Sequence, residues 1–556
     1  MDTRVHAIDD SAVHLVVGVT SHRDLVAQDV PALREQVRET LSSLRATFPD
    51  LALTIVSPLA EGGDQLVAEV GLELGAHLIV PLPLPVELYR DDFSSEESLG
   101  RFERLMAQAQ VVRLPWPDGG LEVAGPARDR QYLMAGLYVA NHCHVLCALW
   151  DGSDEGGLGG TAHIVRYYLG GPLPGARRAG DNLRQMLSGD DDSLVRHFPV
   201  RRNSGNGATP GEPRWLTSSG RVCVSGEIPA DYLRLFVRMQ TFERDRQRYV
   251  ARTQREWAGE AVERGLQEAD AMAVHYQRVM ILALRAIHVV AVLMGITFLL
   301  YSDLGAPDWM LWMFLLFFVF GLIIAASARQ HDWHRKYIDY RALAEGLRVQ
   351  SFWRRAGLSM TGEAEFAHDN FMQKQDVELG WIRNVMREVG LIPLPVSPDR
   401  AKAVDDVIED WVGLPGQSGQ LGYYQRKSML CERHHMRTRT LGQACLWAGI
   451  GISLFLAAFH SGLDVGTRNV LVTLMGTLSL IAAVRDAYAY RKADKELVKQ
   501  YRFMRRIYRN ARTALDAAGS VREKCEILRA LGEAALAEHA EWALMHRDRP
   551  IEHGRP

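Results

Sequence analysis

The sequence predicts an α/β N-terminal domain followed by an all-α membrane region with four transmembrane helices, arranged as two repeated hairpins. Residues 286–302 and 309–327 are uncharged apolar runs with six residues between them, and a second pair follows at 441–463 and 470–484. Each run is near the roughly 20 residues that a helix needs to cross about 30 Å of hydrocarbon. Before them, short β-type apolar runs alternate with stretches of helical spacing, the pattern of βαβ units and a parallel sheet.

In order, residues 14–20 read as a buried strand, 31–48 as a helix, 51–57 as a strand and 63–75 as a helix. Residues 77–81 then read as a strand, 130–140 as a helix and 144–150 as the last strand of the series. In such sheets ligands sit beyond the carboxyl ends of the strands. Three of those ends are rich in glycine and polar residues. The first holds Gly18, Thr20, Ser21, His22 and Arg23, the second Ser57, Glu61, Gly62, Gly63 and Asp64. The third holds Asp151 and Gly152, then a glycine-rich loop with Gly159 and Gly160, and Thr161 opening a helix. A backbone without side chains approaches a phosphate closely, and a helix N-terminus offers unpaired N–H groups to it. These residues are the candidate ligand-binding set of a nucleotide cleft. No catalytic residue, resident cofactor or metal ligand is assigned. His142, Cys143, His144 and Cys147 sit at the entry to a strand, where alternate side chains face opposite ways and cannot converge on one ion.

The three motifs resemble the SLOG superfamily of Rossmann-like domains, over roughly residues 12–225. That group includes nucleotide sensors, a cytokinin-activating phosphoribohydrolase branch and the cytosolic module of melastatin-type TRP channels. The resemblance implies a Rossmann-like fold and a nucleotide-derived ligand. The hydrolase branch has Pro-Gly-Gly-x-Gly-Thr-x-x-Glu with a catalytic Glu. Placing Gly160-Thr161 on its Gly-Thr puts Ile164 at the Glu and Leu158 at a Gly. Isoleucine cannot act as acid or base, so the resemblance implies binding over hydrolysis, with Glu61 and Asp64 left as carboxylates that could serve from elsewhere in the cleft.

Residues 170–228 are rich in Gly, Pro, Arg and Ser, and 201–207 read as a mobile loop. From 231 to 278 there is no Pro and no strand-like alternation, so one long helix is expected up to the membrane. In the membrane region a constant offset of 156 pairs Gly295 with Gly451, Ile296 with Ile452, Asp308 with Asp464, Arg329 with Arg485 and Arg335-Lys336 with Arg491-Lys492. A constant offset indicates an internal duplication. Arginine and lysine flank one side of both hairpins and Asp303, Asp308 and Asp464 occupy the other, so both chain ends and the segment between the hairpins are expected on the cytoplasmic side of the cell inner membrane. Trp309 and Trp312 suit an interfacial anchor. Residues 333–353 and 488–508 follow as aromatic, basic helices. Hairpin plus helix resembles the SLATT group, two-helix membrane effectors joined to SLOG sensors in bacterial conflict systems, over about 275–360 and 431–515.

The expected division is 1–228 sensor, 229–284 helical linker, 285–360 first hairpin and basic helix, 361–440 helical segment, 441–515 second hairpin and basic helix, and 516–556 C-terminal helix and tail. A net charge of -3 with basic residues gathered beside the spans gives no case for nucleic acid. The six cysteines imply no disulfide framework, and the polar start is not a signal peptide. Asn469, Thr473 and Thr477, at i, i+4 and i+8, form a polar stripe read as pore-lining, with Gly476 beside it. No Asp, Glu, Lys or Arg lies inside the runs, which argues against a proton-coupled transporter. Four spans enclose no wide path, so a pore requires a homo-oligomer. The expected partners are a nucleotide-derived small molecule, membrane lipid and further copies of the chain. Three functions are open: a nucleotide-gated membrane effector, a pore or ion channel of a conflict or antiviral defence system; a membrane-anchored enzyme acting on a nucleotide or nucleoside phosphate; and a scaffold with a degenerate cleft.

Overall fold

The structure, a computed structural model, describes residues 12–115, 125–153, 157–171, 193–204, 211–218, 222–223, 226–254, 257, 259–358, 371, 377–394, 397–492 and 494–547. The chain forms two compact units, Met1–Glu268 with Gly346–Val396, and Ala269–Glu345 with Ser397–Pro556.

The first unit is built on one sheet. Its strands are β1 (His14–Ser21), β2 (Ala52–Val56), β3 (His77–Leu82), β4 (Gln110–Arg113), β5 (Val145–Trp150), β6 (Leu194–Pro199), β7 (Arg214–Thr217) and β8 (Val222–Cys223), in the spatial order β4-β3-β2-β1-β5-β6-β7-β8. Strands β4 to β6 are parallel, and β7 and β8 add an antiparallel edge. The expected α/β fold is therefore present, with a wider sheet than the apolar runs announced. Connections are α1 (Val30–Thr47), α2 (Gly63–Glu73), the short α3 (Val86–Tyr89), α4 (Glu96–Met106), α5 (Pro126–His142) and α6 (Thr161–Tyr168). Right-handed crossovers put α1 and α2 on one face, where Gly71 packs on Ile55, and α5 and α6 on the other, where Gly18 lies under Val139 and Cys143. The core on the second face joins Val16, Val56, Ile79, Leu146 and Val195 to Val139 and Val165, all nearly inaccessible to solvent.

Strands β6 and β7 fall in the segment read as Gly-Pro-Arg-Ser rich, because Arg196 and His197 interrupt the apolar run of β6. Tertiary contacts meet part of their polarity, with Arg196 Nε and Nη1 left buried without a hydrogen-bond partner among the described residues. Arg196 lies 4.7 Å over the Trp215 ring of β7, and His197 Nε2 stands 2.9 Å from Trp150 O. Arg201 to Ser204, expected to be mobile, are fixed to the loop after β1; the rest of that loop, residues 205–207, lies outside the described residues. Arg201 makes a two-pronged pair with Asp29 at 2.8 and 2.6 Å, and Asn203 N donates to Asp24 O at 2.9 Å. The single long helix expected from 231 is divided into α7 (Ala230–Thr253) and α8 (Ala261–Leu304). Gln254 takes a left-handed backbone with φ 49° and Gly259 has φ 108°, geometry that ends a helix.

Residues 346–396 complete this unit. From α10 (Trp333–Arg355) and α11 (Gly380–Val389), Arg354 Nη1 donates to Gly390 O and Gln350 Nε2 to Met386 O, both at 2.9 Å. His144 Nε2 stands 2.8 Å from Asn384 O, while its Nδ1 accepts from Val16 N at 3.1 Å. The Tyr138 hydroxyl donates to Leu391 O. His142 meets the carbonyl of Tyr138 and Cys143 packs beneath α5, so the His-Cys-His run disperses to separate partners.

The second unit holds most of four helices that are long and apolar enough to cross a membrane: α8, α9 (Trp309–Gln330) running on into α10, α13 (Gly419–Phe459) and α14 (Val465–Arg491) running on into α15 (Asp494–Ala517). The smaller α12 (Arg400–Val407) and the C-terminal α16 (Val521–Arg547) complete it. The 156-residue offset carries the start of α9 onto the start of α14, with Asp308 and Asp464 at the two N-cap positions. Asp464 accepts from Thr467 N at 3.0 Å, so α14 begins at the turn itself and Gly466 and Arg468 belong to its first turns. Within this unit α8 and α14 meet through glycines. A Cβ on Gly295 would stand 2.3 Å from Leu480, and one on Gly476 3.1 Å from Leu299. Close helix contact of this kind rests on small residues.

Candidate functional site

Sequence order runs outward from β1 through β2 to β4 on one side, then returns to β5 and β6 on the other, so the topological switch point lies between β1 and β5. Their carboxyl ends open a crevice of the kind that holds ligands in doubly wound folds. The exits of β1 and β5 meet there. His22 Nε2 stands 3.0 Å from Asp151 Oδ1, and Arg202 reaches Asp24 at 2.9 Å and Asp151 at 3.7 Å. Burial lowers the pKa of His22 although Asp151 opposes it, so the imidazole is neutral near pH 7. For Asp24 burial acts upward, but hydrogen bonds from Ser204 and Arg202 outweigh it and bring the carboxyl down to about 2.

Arg23 points differently. Although the residue as a whole is exposed, its guanidinium lies 5.5 Å over the Tyr132 ring of α5, partly desolvated and within the field of Asp92 and Asp64, and makes no direct hydrogen bond or ion pair among the described residues. Tyr132 and Arg128 are both tied to Asp92, the latter at 2.6 Å. Beside Tyr132, a Cβ on Gly159 would stand 2.6 Å from Leu133 N, so the glycine loop lies directly on α5. The loop then closes through Gly160 N to Gly157 O at 2.9 Å, and Thr161 starts α6. Gly160 is the N-cap and supplies no side chain, leaving the first N–H groups of α6 without a side-chain cap. Gly152 has φ 81° and open space around it.

The exit of β2 is built otherwise. Gly62, at φ 93°, lets the carbonyl of Arg23 approach to where a Cβ would stand 2.5 Å away, and Gly63 N donates to His22 O at 3.4 Å. The backbone of the β1 loop thus covers the start of α2. Asp64 lies beneath it, buried, taking a hydrogen bond from Ser21 Oγ at 2.7 Å. Burial raises its pKa to about 7 against the pull of Ser21 and Arg23. Ser57 Oγ donates to Asp64 O at 3.2 Å, and Glu61 accepts from Ser94 N and Oγ at 3.1 and 2.7 Å.

The predicted residues therefore separate by location. Ser21, His22, Arg23, Asp151, Gly152, Gly159, Gly160 and Thr161 gather around the switch point. Gly18 pairs with Val56 and Leu146 in the sheet interior and Thr20 is buried beside Ala148. Ile164 is a core residue, its Cδ1 lying 2.4 Å from where a Cβ of Gly136 would be. Arg202, Tyr132, Asp92 and Arg128 were not in the sequence reading. The pairing of Arg201-Arg202 with Asp24 and Asp29 is the one charge pattern that could have suggested them. A cavity of about 50 Å³ lies at the opposite, amino ends of the strands, beside His14, Thr54, Arg246 and Glu268; its size suits a few waters and no nucleotide.

In the second unit Thr473 is buried and donates to Asn469 O at 2.9 Å, and Thr477 to Thr473 O at 2.8 Å. The stripe hydroxyls thus bond to carbonyls of their own helix.

The fold and site define a Rossmann-like α/β domain in a chain with four candidate membrane spans. No protein-family model, curated protein or solved structure matches the chain.

Proposed function

We propose that the chain is a nucleotide-gated membrane effector of the cell inner membrane, in which a nucleotide-derived molecule bound at the switch point controls a homo-oligomeric pore or ion channel, in the manner of the SLOG and SLATT pairs of bacterial antiviral defence. The observation that carries this reading is Arg23, which makes no direct hydrogen bond or ion pair among the described residues and lies over Tyr132 of α5, the helix on which the glycine loop before the uncapped start of α6 is packed. A guanidinium and helix N–H groups together suit a phosphate, and Tyr132 offers a ring for a base or ribose. His22, Arg202, Asp24 and Asp151 bind one another in a closed polar cluster at the edge of the site, with Arg202 offsetting part of the charge of the two carboxylates. The basic flanks support a topology with both ends of the chain on the cytoplasmic side.

A second reading, a membrane-anchored enzyme acting on a nucleotide or nucleoside phosphate, is favoured by one feature: the Ser21–Asp64 pair, whose carboxyl titrates near 7. Ile164, in the core where the related hydrolases carry their acid, weighs against it.

The test is thermal unfolding of the purified full chain with a panel of mono-, di- and cyclic nucleotides. At a hundredfold excess over Kd a true ligand adds about 2.7 kcal/mol. Arg23→Ala should abolish that stabilisation and leave the unliganded melt unchanged. A ligand that stabilises both proteins equally would move the site, and turnover of any nucleotide by wild type but not by Asp64→Asn would favour the enzyme.

A further inference from the structure

The second hairpin carries at its basic end an arrangement that the first lacks. Arg485 of α14 lies across α13, where its Nη2 donates to Thr438 Oγ1 at 3.2 Å. Gly442 is buried under it, and a Cβ there would stand 3.1 Å from Arg485 Cδ. The Nε of Arg485 is buried without a hydrogen-bond partner among the described residues, while its Nη1 pairs with Asp486 Oδ1 at 2.5 Å, an exposed carboxylate that a bound anion would have to displace. Arg439, one turn before Gly442 on the same side of α13, is exposed. No Asp or Glu occurs from 433 to 463, whereas Arg433, Arg437 and Arg439 all precede the apolar run. Beyond Gly442, Leu446 and Ile450 are 48% and 38% exposed along the same flank of the helix.

The duplication supplies the control. At the positions 156 lower, Thr438, Arg439, Gly442 and Arg485 become Leu282, Ala283, Ala286 and Arg329. At those positions the first hairpin keeps one arginine and loses the hydroxyl, the second arginine and the glycine; its other arginine here, Arg285, is directed to the Tyr488 hydroxyl of α14 instead. A general excess of positive charge beside a span does not require that set; a seat for an anion does.

We propose that this groove between α13 and α14 binds the phosphate of an anionic phospholipid. Arg485, held against α13 by Thr438 and Gly442, supplies one cation and Arg439 the second. Guanidinium N–H groups match phosphate oxygens in pairs, and Leu446 and Ile450 take the upper part of an acyl chain. A free phosphate would use the cations alone and leave those two side chains bare. The proposal rests on the membrane reading of the four helices.

The test is native mass spectrometry of the detergent-purified full chain titrated with phosphatidylglycerol and phosphatidylcholine, together with flotation on vesicles of each. One cation near a headgroup is worth about fivefold, so wild type should retain phosphatidylglycerol over phosphatidylcholine by roughly twenty-five-fold. Arg439→Gln with Arg485→Gln should bring the ratio close to one. Gly442→Val, which keeps every charge and displaces Arg485, should lower it as well and serves if the double variant fails to fold. Arg506→Gln with Arg509→Gln on α15 should leave it unchanged. Equal retention of the two lipids by wild type, an equal loss in the α15 pair, or thermal stabilisation by inorganic phosphate as large as that by phosphatidylglycerol would overturn the proposal. A chain that floats with neither vesicle overturns the membrane reading and this proposal with it; one that floats with both and shows no preference overturns this proposal alone.

Discussion

Asp64 sits out of water beneath Ser21, and the fold sets its chemistry. Its carboxyl titrates near 7, above the ordinary value of 3.8, so the folded chain holds a proton that the unfolded chain has released. Stability from this group is therefore complete at pH below 3.8 and lost as pH rises toward and through 7, a difference of roughly 4 kcal/mol. Asp64→Asn should flatten that part of the pH–stability curve and raise the melting temperature at pH 8, as followed by circular dichroism. The glycines of the third exit give a second contrast. Gly152→Ala has room and should cost about 1–2 kcal/mol for its positive φ alone. Gly159→Ala adds a clash with the backbone of Leu133 and should cost clearly more. Most of these residues were legible as a set from glycine and polar density after apolar runs. Their division into ligand-facing and packing glycines was not, because that depends on which backbone arrives opposite each one: Arg23 O at Gly62, Leu133 N at Gly159.

Strands buried on both faces were readable as continuous apolar runs, as β1, β2, β3 and β5 show. The elements missed carry charge that tertiary contacts accommodate in part. Strand β6 hides behind Arg196 and His197, and the break between α7 and α8 depends on the backbone of Gln254, a residue type with no turn preference. The largest departure is residues 346–396. The sequence puts them after a hairpin, and the structure makes them part of the α/β unit through His144, Tyr138 and Arg354. A fragment ending at residue 228 should then fail to melt cooperatively, whereas residues 1–268 joined by a flexible linker to 346–396 should give one sharp transition. Tyr138→Phe in that joined fragment should lower stability by about 1 kcal/mol, the net value of one hydrogen bond, plus the cost of leaving Leu391 O unpaired.

Cysteine labelling tests the proposed arrangement of the whole chain across the membrane. Residues introduced at Gly305 and Gly462 should react with an impermeant reagent from outside, and ones at Gly416 and Gly519 only after the membrane is opened; labelling at Gly416 from outside would end the two-hairpin topology. The polar stripe adds a functional arm. Thr473 is buried in the single chain, so lining the proposed homo-oligomeric pore requires the helices to repack on assembly, and Thr473→Leu with Thr477→Leu should then block ligand-induced ion flux in liposomes while ligand binding persists. Flux that survives would leave the stripe as packing.

The interrupted α/β unit also sets an order of events during synthesis. At roughly 5–20 residues per second, the ribosome delivers the last residues this unit needs about ten seconds after Glu268 has emerged, and the first hairpin is made in that interval. The nascent α/β sheet waits with His144 and Tyr138 unanswered while the two candidate spans are made. A chain stalled before residue 346 thus has its first hairpin but an unfinished α/β unit.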